Sequence, residues 1–406
     1  MNFPIYLDYS ATTPCDTRVV EAMLPYFSNA FGNAASHQHA LGWQAREAVD
    51  YAREQVAALI GAIPEEIIFT SGATEAANLA LKGVFESYAG KGNHIITCAA
   101  EHKAVLDTCR YLAKAGGEVT YLDVNSQGQI DLAQLEAAIT PQTILIAIQY
   151  ANNETGTLMP VKEIGAIARK NGILFFSDAT QAAGKIPVDV NSDSIDLLAF
   201  SAHKLYGPKG TGALYVRRRD PRVKLAAQLH GGGHERGLRS GTLNVPGIVG
   251  FGKACEIARL EMEAEAGRLQ QLRDKLQDAL LAIPESQLHG DPVQRLPHVV
   301  NIGFNYLAAG SLLTELTKDM AVSAGSACTS GSPEPSYVLK AMGITDSVAH
   351  NSLRFSLGRT TTEEEIGHAI GQVTGTVQKL REATPLWEMH QAGIDPYADP
   401  GQAVKE

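Results

Sequence analysis

Hydrophobic positions along the first two thirds of the chain follow two rhythms in alternation. Short runs of β-branched, aliphatic and aromatic residues at 67–69, 94–98, 119–122, 143–149, 173–177, 197–201 and 212–216 read as strands. Between them, stretches such as 161–170 return an apolar side chain every three or four places, as an amphipathic helix requires. This alternation predicts an α/β layer structure with a mostly parallel sheet. Ligands of such sheets bind beyond the carboxyl ends of the strands. The polar residues gather there: Thr74 and Glu75 after the first run, His102 after the second, Asn152, Asn153 and Glu154 after the fourth, Asp178 after the fifth, and Ser201 to Lys204 after the sixth.

The pattern then changes. Residues 251–283 contain no proline, and Leu269, Leu272, Leu276, Leu280 and Ile283 keep helical spacing, with Pro284 as a stop signal. One long helix is expected to leave the first unit. Beyond it, strand-like 298–304, 320–323 and 353–355 with helix-like 310–317 and 362–381 predict a smaller α+β unit, which the N-terminal segment is expected to join. The expected division is a large domain over 15–260, a smaller one from 1–14 and 261–385, and a tail over 386–406 that is a candidate for partner docking.

Composition narrows the function classes. A chain of 406 residues with 45% hydrophobic and 19% charged residues buries a sizeable core in about two domains. Its net charge is −10, and its one basic cluster, Arg217 to Arg219 with Arg222 and Lys224, is short and has no interleaved aromatics. Nucleic acid is therefore not an expected partner. No apolar run approaches the roughly 18 residues of a membrane span, and residues 1–10 show no basic segment ahead of an apolar one, so a cytoplasmic protein is expected. Five cysteines without a Cys-x-x-Cys pair argue against a disulfide framework and a structural zinc site. His37, His39, His230 and His234 have no spacing that compels a metal.

Lys204 and Asp178 carry the first chemical signal. A lysine amine can bond covalently to the aldehyde of pyridoxal phosphate, while a carboxylate keeps the pyridine nitrogen protonated so that the ring draws electrons from a substrate. Ser71-Gly72-Ala73-Thr74-Glu75 lies between a strand and a helix, where backbone N–H groups and the Thr74 hydroxyl suit an anion; a simple helix cap is the plainer reading. The run Gly207 to Gly212 lacks the ending of a nucleotide-binding loop, and neither ATP nor NAD is indicated. Cys328 stands among glycines and small polar residues from Ser323 to Pro333, which predicts an exposed, movable loop. A thiolate there can attack and carry a sulfur atom away; the plainer reading is a free thiol on a linker. Arg354, near a strand end, offers a two-pronged grip on a carboxylate or a structural ion pair.

Several ordered motifs then coincide: Ser-Ala-His-Lys-Leu-Tyr-Gly-Pro-Lys-Gly around Lys204, Asp178-Ala179-Thr180-Gln181, Glu101-His102-Lys103-Ala104-Val105, Ser71 to Glu75, His234-Glu235-Arg236-Gly237 through Thr242, and Gly325-Ser326-Ala327-Cys328-Thr329-Ser330. From Tyr6 to about Asp395 the chain resembles long-loop cysteine desulfurases of the IscS/NifS type, within the class V aminotransferase family, and is similar above all to the housekeeping iron–sulfur-cluster type. The resemblance implies an aminotransferase-like fold (fold type I of pyridoxal phosphate enzymes), a homodimer, and conversion of L-cysteine to L-alanine with a persulfide left on Cys328. It implies catalytic roles for Cys328, Lys204 and His102. Ala73, Thr74, Ser201 and His203 would hold the phosphate, with Thr242 reaching in from the second subunit. Asp178 would face the ring nitrogen, Gln181 the ring phenolate, and His102 the ring face; Asn153 and Arg354 would bind the substrate carboxylate. No intrinsic metal is implied, although the Cys328 persulfide could ligate an iron–sulfur cluster transiently.

The match has departures. Ala324 stands where the loop motif has a second serine, and Asn152-Asn153-Glu154-Thr155-Gly156-Thr157 is closer to the nitrogen-fixation type. Pro385 to Met389 resembles a tail that docks the cluster scaffold protein, whereas residues 396–406 do not match its usual ending. Two other readings stand beside this one. A selenocysteine lyase or another class V enzyme would keep Lys204 and Asp178 with less need of the thiol, and a non-catalytic interaction protein could share the fold.

Overall fold

β-rich runs become strands wherever both faces can be buried. The computed structural model describes residues 4–324 and 334–397. Its strands are β1 (Ile5–Tyr6), β2 (Ile67–Thr70), β3 (His94–Cys98), β4 (Glu118–Leu122), β5 (Thr143–Ala147), β6 (Leu174–Asp178), β7 (Leu197–Ser201), β8 (Gly212–Val216), β9 (Ser286–His289), β10 (Val299–Phe304), β11 (Met320–Ala321) and β12 (Ser352–Ser356). Seven of these form one sheet in the order β2-β8-β7-β6-β5-β3-β4. β8 runs antiparallel to both neighbours, and the remaining pairs are parallel. A mostly parallel sheet is thus present, as the alternating pattern predicts.

Successive side chains of a strand point to opposite faces, and the two faces feed different cores. Leu197 and Ala199 of β7 pack in one apolar cluster with Leu174 and Phe176 of β6. Leu198 and Phe200 pack in the other with Phe175. Helices cover both sides, so all five residues of β3, β5, β6, β7 and β8 are buried. Because β6 and β7 are adjacent and parallel, with Asp178 level with Ala199, the residues that follow both strands emerge at the same sheet edge.

The long helix runs Val245–Leu281, 37 residues or about 55 Å of rod. It begins six residues before the expected start at 251. Pro246 is tolerated in the first turn, where its missing N–H has no helical partner to lose. The glycines within residues 247–252 are contact points. A Cβ on Gly252 would lie 2.5 Å from the Ala52 Cα, and one on Gly250 would lie 2.5 Å from the Met23 sulfur. Ile248, Phe251 and Cys255 enter the core under the large sheet, whereas Leu269, Leu272, Leu276 and Leu280 enter a separate cluster.

That separate cluster lies against the sheet β12-β10-β9, which is antiparallel throughout. The chain start belongs to it: β1 pairs with β11, Leu7 is fully buried in the cluster, and Asp8 bridges to Ser356. Helix Glu363–Glu382 closes this side, opened by a reciprocal cap between Thr362 and Glu365. The following helix, Pro385–Gln391, leans Trp387 and His390 on the ring of Tyr306.

The glycine contacts are directly testable. Gly252→Val should lower the unfolding free energy by about 2 kcal/mol, because the new atoms meet the backbone and Cβ of Ala52, which have no flexible end to move aside. Gly267→Ala, on the same helix with nothing within 4 Å of its Cβ position, should be neutral or stabilising by about 0.5 kcal/mol. Denaturant midpoints of the two variants check both values.

Candidate active site

At the carboxyl edge of the large sheet the strand ends surround a cavity of about 620 Å³. One wall is the turn after β2. Gly72 holds a φ of 155°, a conformation glycine reaches without strain, and delivers the chain into helix Ala73–Ser87. No side chain caps that helix, and its first residues line the cavity, so orphan N–H groups and the positive end of the helix dipole meet the space where an anion would sit. Ser201 and His203 line the same space from the end of β7. Burial, then the charges of Lys204 and Lys209, lower the His203 pKa to about 4. His203 is therefore neutral near pH 7, and its Nδ1 lies 3.1 Å from the Thr12 hydroxyl.

Lys204 ends the short 3-10 turn Ala202–Lys204 after β7. Its Nζ donates to the carbonyl oxygens of Ser10 and Ala11 at 2.5 and 2.7 Å. Gln181 donates to the same Ser10 oxygen from the far side, while its own Oε1 is buried without a partner among the described residues. Asp178, buried at the end of β6, accepts the Thr180 N–H at 2.9 Å. His102 caps helix Lys103–Lys114 by accepting the Ala104 N–H on Nδ1, which places the proton of the neutral ring on Nε2. All four line the cavity.

The opposite wall comes from the smaller sheet. Arg354 of β12 is 2% exposed; its Nη2 meets Asp8 at 2.6 Å and its Nη1 donates to the Asn153 carbonyl at 2.9 Å. Its Nε and the Asn153 Oδ1 are buried without partners among the described residues. Arg354 is ion-paired, as one of its two readings has it, and it also lines the cavity.

Glu101 and Glu154, which the sequence marks only as a motif member and as one of the gathered polar residues, are buried. Glu101 is 0% exposed and accepts from the Gln149 N–H and the Cys98 thiol. Burial pushes its pKa well above the usual range, and the nearby charge of Asp178 adds to the rise. Glu154 lines the cavity and accepts from the Ser336 hydroxyl; burial raises it too, against the pull of that bond and of Arg354. Their neighbours His102 and Asn153 carried the motif signal, and no pattern marks a carboxyl whose pKa is raised by burial.

Thr242 is exposed and lies outside the cavity of this chain. Cys328 lies outside the described residues. The chain on either side is anchored at the cavity: Ser323 and Arg354 exchange backbone hydrogen bonds, and the Tyr337 hydroxyl donates to the Glu101 carbonyl. Among the described residues no cluster of His, Cys, Asp and Glu is arranged to hold a metal, and no helix is long and apolar enough to cross a membrane.

The cavity suits pyridoxal phosphate by its donor set. An uncapped helix start answers a phosphate, Lys204 an aldehyde, Asp178 a pyridinium, and unsatisfied polar atoms on Gln181, Asn153 and Arg354 await further partners. The family model for class-V aminotransferases matches residues 5–368. A cysteine desulfurase IscS of Anaeromyxobacter sp. (strain Fw109-5) is 57% identical over 396 residues, 97% of this chain and 98% of that protein. Another, from Pectobacterium carotovorum subsp. carotovorum (strain PC1), is 57% identical over 397 residues, with the same coverage. Among solved structures, a NifS-like protein aligns with TM-score 0.86 and 38% identity over 93% of this chain and 100% of that one. SspA in complex with cysteine aligns with TM-score 0.77 and 38% identity over 87% and 98%.

Glu101 generates a pH prediction. Its ordinary pKa is 4.5 and its folded value is higher, so the folded chain binds more protons and stability is lost as pH rises from 4.5 through the folded value. Glu101→Gln cannot titrate. Its unfolding free energy relative to the wild type should therefore climb as pH rises from about 4.5 to 8, and a flat difference across denaturation curves would refute the neutral carboxyl.

Proposed function

The chain belongs to the class-V aminotransferase family and is a pyridoxal phosphate-dependent cysteine desulfurase, in which we propose that Cys328 takes the sulfur of L-cysteine as a persulfide. One observation carries the proposal: Lys204 in the turn after β7, Asp178 at the end of β6 and Arg354 of β12 line a single cavity. When bound, pyridoxal phosphate supplies an electrophilic aldehyde and a ring that withdraws electrons from the substrate Cα.

The side chains take the remaining tasks. The backbone of Ala73 and Thr74, the Thr74 and Ser201 hydroxyls and neutral His203 hold the phosphate, and exposed Thr242 serves the phosphate of a second copy, which makes a homodimer part of the proposal. Lys204 would bond to the aldehyde, Asp178 would face the pyridine nitrogen, and His102 would cover the ring. Gln181 spends one amide N–H on Ser10, and its second suits the phenolate oxygen. Arg354, with Asn153 beside it, receives the substrate carboxylate through nitrogen not already committed to Asp8 and the Asn153 carbonyl.

The Lys204 amine is the group placed to take the substrate Cα proton. The Ser10 and Ala11 carbonyls favour the ammonium and hold that proton on Nζ until it is returned. His102 exchanges protons through Nε2. The Cys328 thiolate attacks the substrate sulfur: an S–S bond forms, the C–S bond breaks, and the electron pair stays on carbon, which is protonated to give L-alanine. Anchoring of Ser323 to Arg354, and of Ser336 to Glu154, supports this role, because it roots the Cys328 segment beside the substrate carboxylate site.

The persulfide is passed to sulfur acceptors for iron–sulfur cluster assembly, with helix Pro385–Gln391 as the docking element for the scaffold, in the cytoplasm. Cys328→Ala should keep the visible absorbance of bound pyridoxal phosphate yet lose alanine production from cysteine. A variant that keeps full activity would sink the role of Cys328.

A further inference from the structure

Glu75 is out of place beside an anion. It occupies the first turn of helix Ala73–Ser87 and lines the cavity wall assigned to the phosphate. Burial raises its pKa, but bonds from Arg239 and the Ser71 N–H outweigh burial and hold it below the usual range, so it is ionised. A carboxylate stabilises a helix start yet repels a phosphate at the same place.

Arg239 answers that charge. Its Nε donates to the Glu75 Oε1 at 2.8 Å and its Nη2 to the Oε2 at 3.3 Å, while the Ser71 N–H takes the Oε2 at 2.8 Å. Both side chains are about four-fifths buried, at 22% and 19% exposed, which shields the pair from salt and water. The segment that carries Arg239 is fixed independently. Glu235 forms a two-pronged buried pair with Arg53 and accepts the Phe69 N–H of β2, and Arg239 itself bridges to Leu229. Arg239 does not line the cavity, so its reach to the phosphate passes through Glu75.

We propose that Arg239 is a positioning residue for cofactor retention, which turns the Glu75 carboxylate away from the phosphate and neutralises it. The inference rests on the pyridoxal phosphate reading above. It makes a prediction of sign that a purely mechanical tether does not: without Arg239, Glu75 becomes harmful, and removing its charge repairs the damage.

Holoenzyme of the wild type, Arg239→Gln, Glu75→Gln and the double variant would be dialysed against graded pyridoxal phosphate, with the dissociation constant read from visible absorbance. Arg239→Gln should weaken retention about tenfold, the double variant should return to within about threefold of the wild type, and Glu75→Gln alone should bind no more weakly than the wild type. A double variant as weak as Arg239→Gln would show that Arg239 acts on its own, and a Glu75→Gln loss equal to that of Arg239→Gln would show a tether; either overturns the inference. The Glu75→Gln arm decides the matter even if Arg239→Gln yields no folded protein. A wild type that takes up no pyridoxal phosphate would overturn the reading of the site itself, whereas a wild type that loads normally leaves the failure with Arg239.

Discussion

A guanidinium that water barely reaches holds three distant stretches of chain in one place. Arg354 belongs to the small sheet, Asp8 to the segment between β1 and the cavity, and Asn153 to the turn after β5 of the large sheet. An unpaired cation at that depth would be costly, so the arrangement is close to all-or-none. The same residue exchanges backbone bonds with Ser323. The cavity therefore exists only while both sheets and the N-terminal strap are docked.

Within the cavity, charge is distributed by depth. Asp178 and Glu101 lie near enough to feel each other, and the deeper carboxyl gives up its charge. His203 is likewise forced neutral by burial and by the two lysines beside it. The cavity is lined by an acid at the end of β6, an amine after β7 and a guanidinium of β12, the groups to which the proposal above gives the ring nitrogen, the aldehyde and the substrate. Glu101, pushed toward its protonated form, and neutral His203 supply shape and hydrogen bonds.

The strands were legible because burial on both faces selects the β-branched and aromatic runs that a reader can count. The turn chemistry at Gly72 and the contiguous motifs around Lys204 and Asp178 were legible for a related reason, since each lies within a few residues of the strand that positions it. Three features were not. The opening turns of the long helix hid behind glycines whose purpose, close approach to Ala52 and Met23, involves residues some 200 positions away. The Asp8–Arg354 pair spans 346 residues, beyond any local pattern. The rise in the Glu101 pKa comes from burial first and from the charge of Asp178 after it, and a glutamate beside a histidine carries no mark of either.

The pairing of β1 with β11, and of Asp8 with Arg354, has a consequence for how the protein is made. As the chain leaves the ribosome the large sheet can assemble early, since its strands lie between residues 67 and 216. Ile5, Tyr6 and Asp8 must wait for partners that arrive more than 300 residues later. A molecule interrupted before β12 can build much of the sheet but lacks Arg354, which ties the cavity walls together. Reactive sulfur chemistry is thereby reserved for molecules whose synthesis has run nearly to the end.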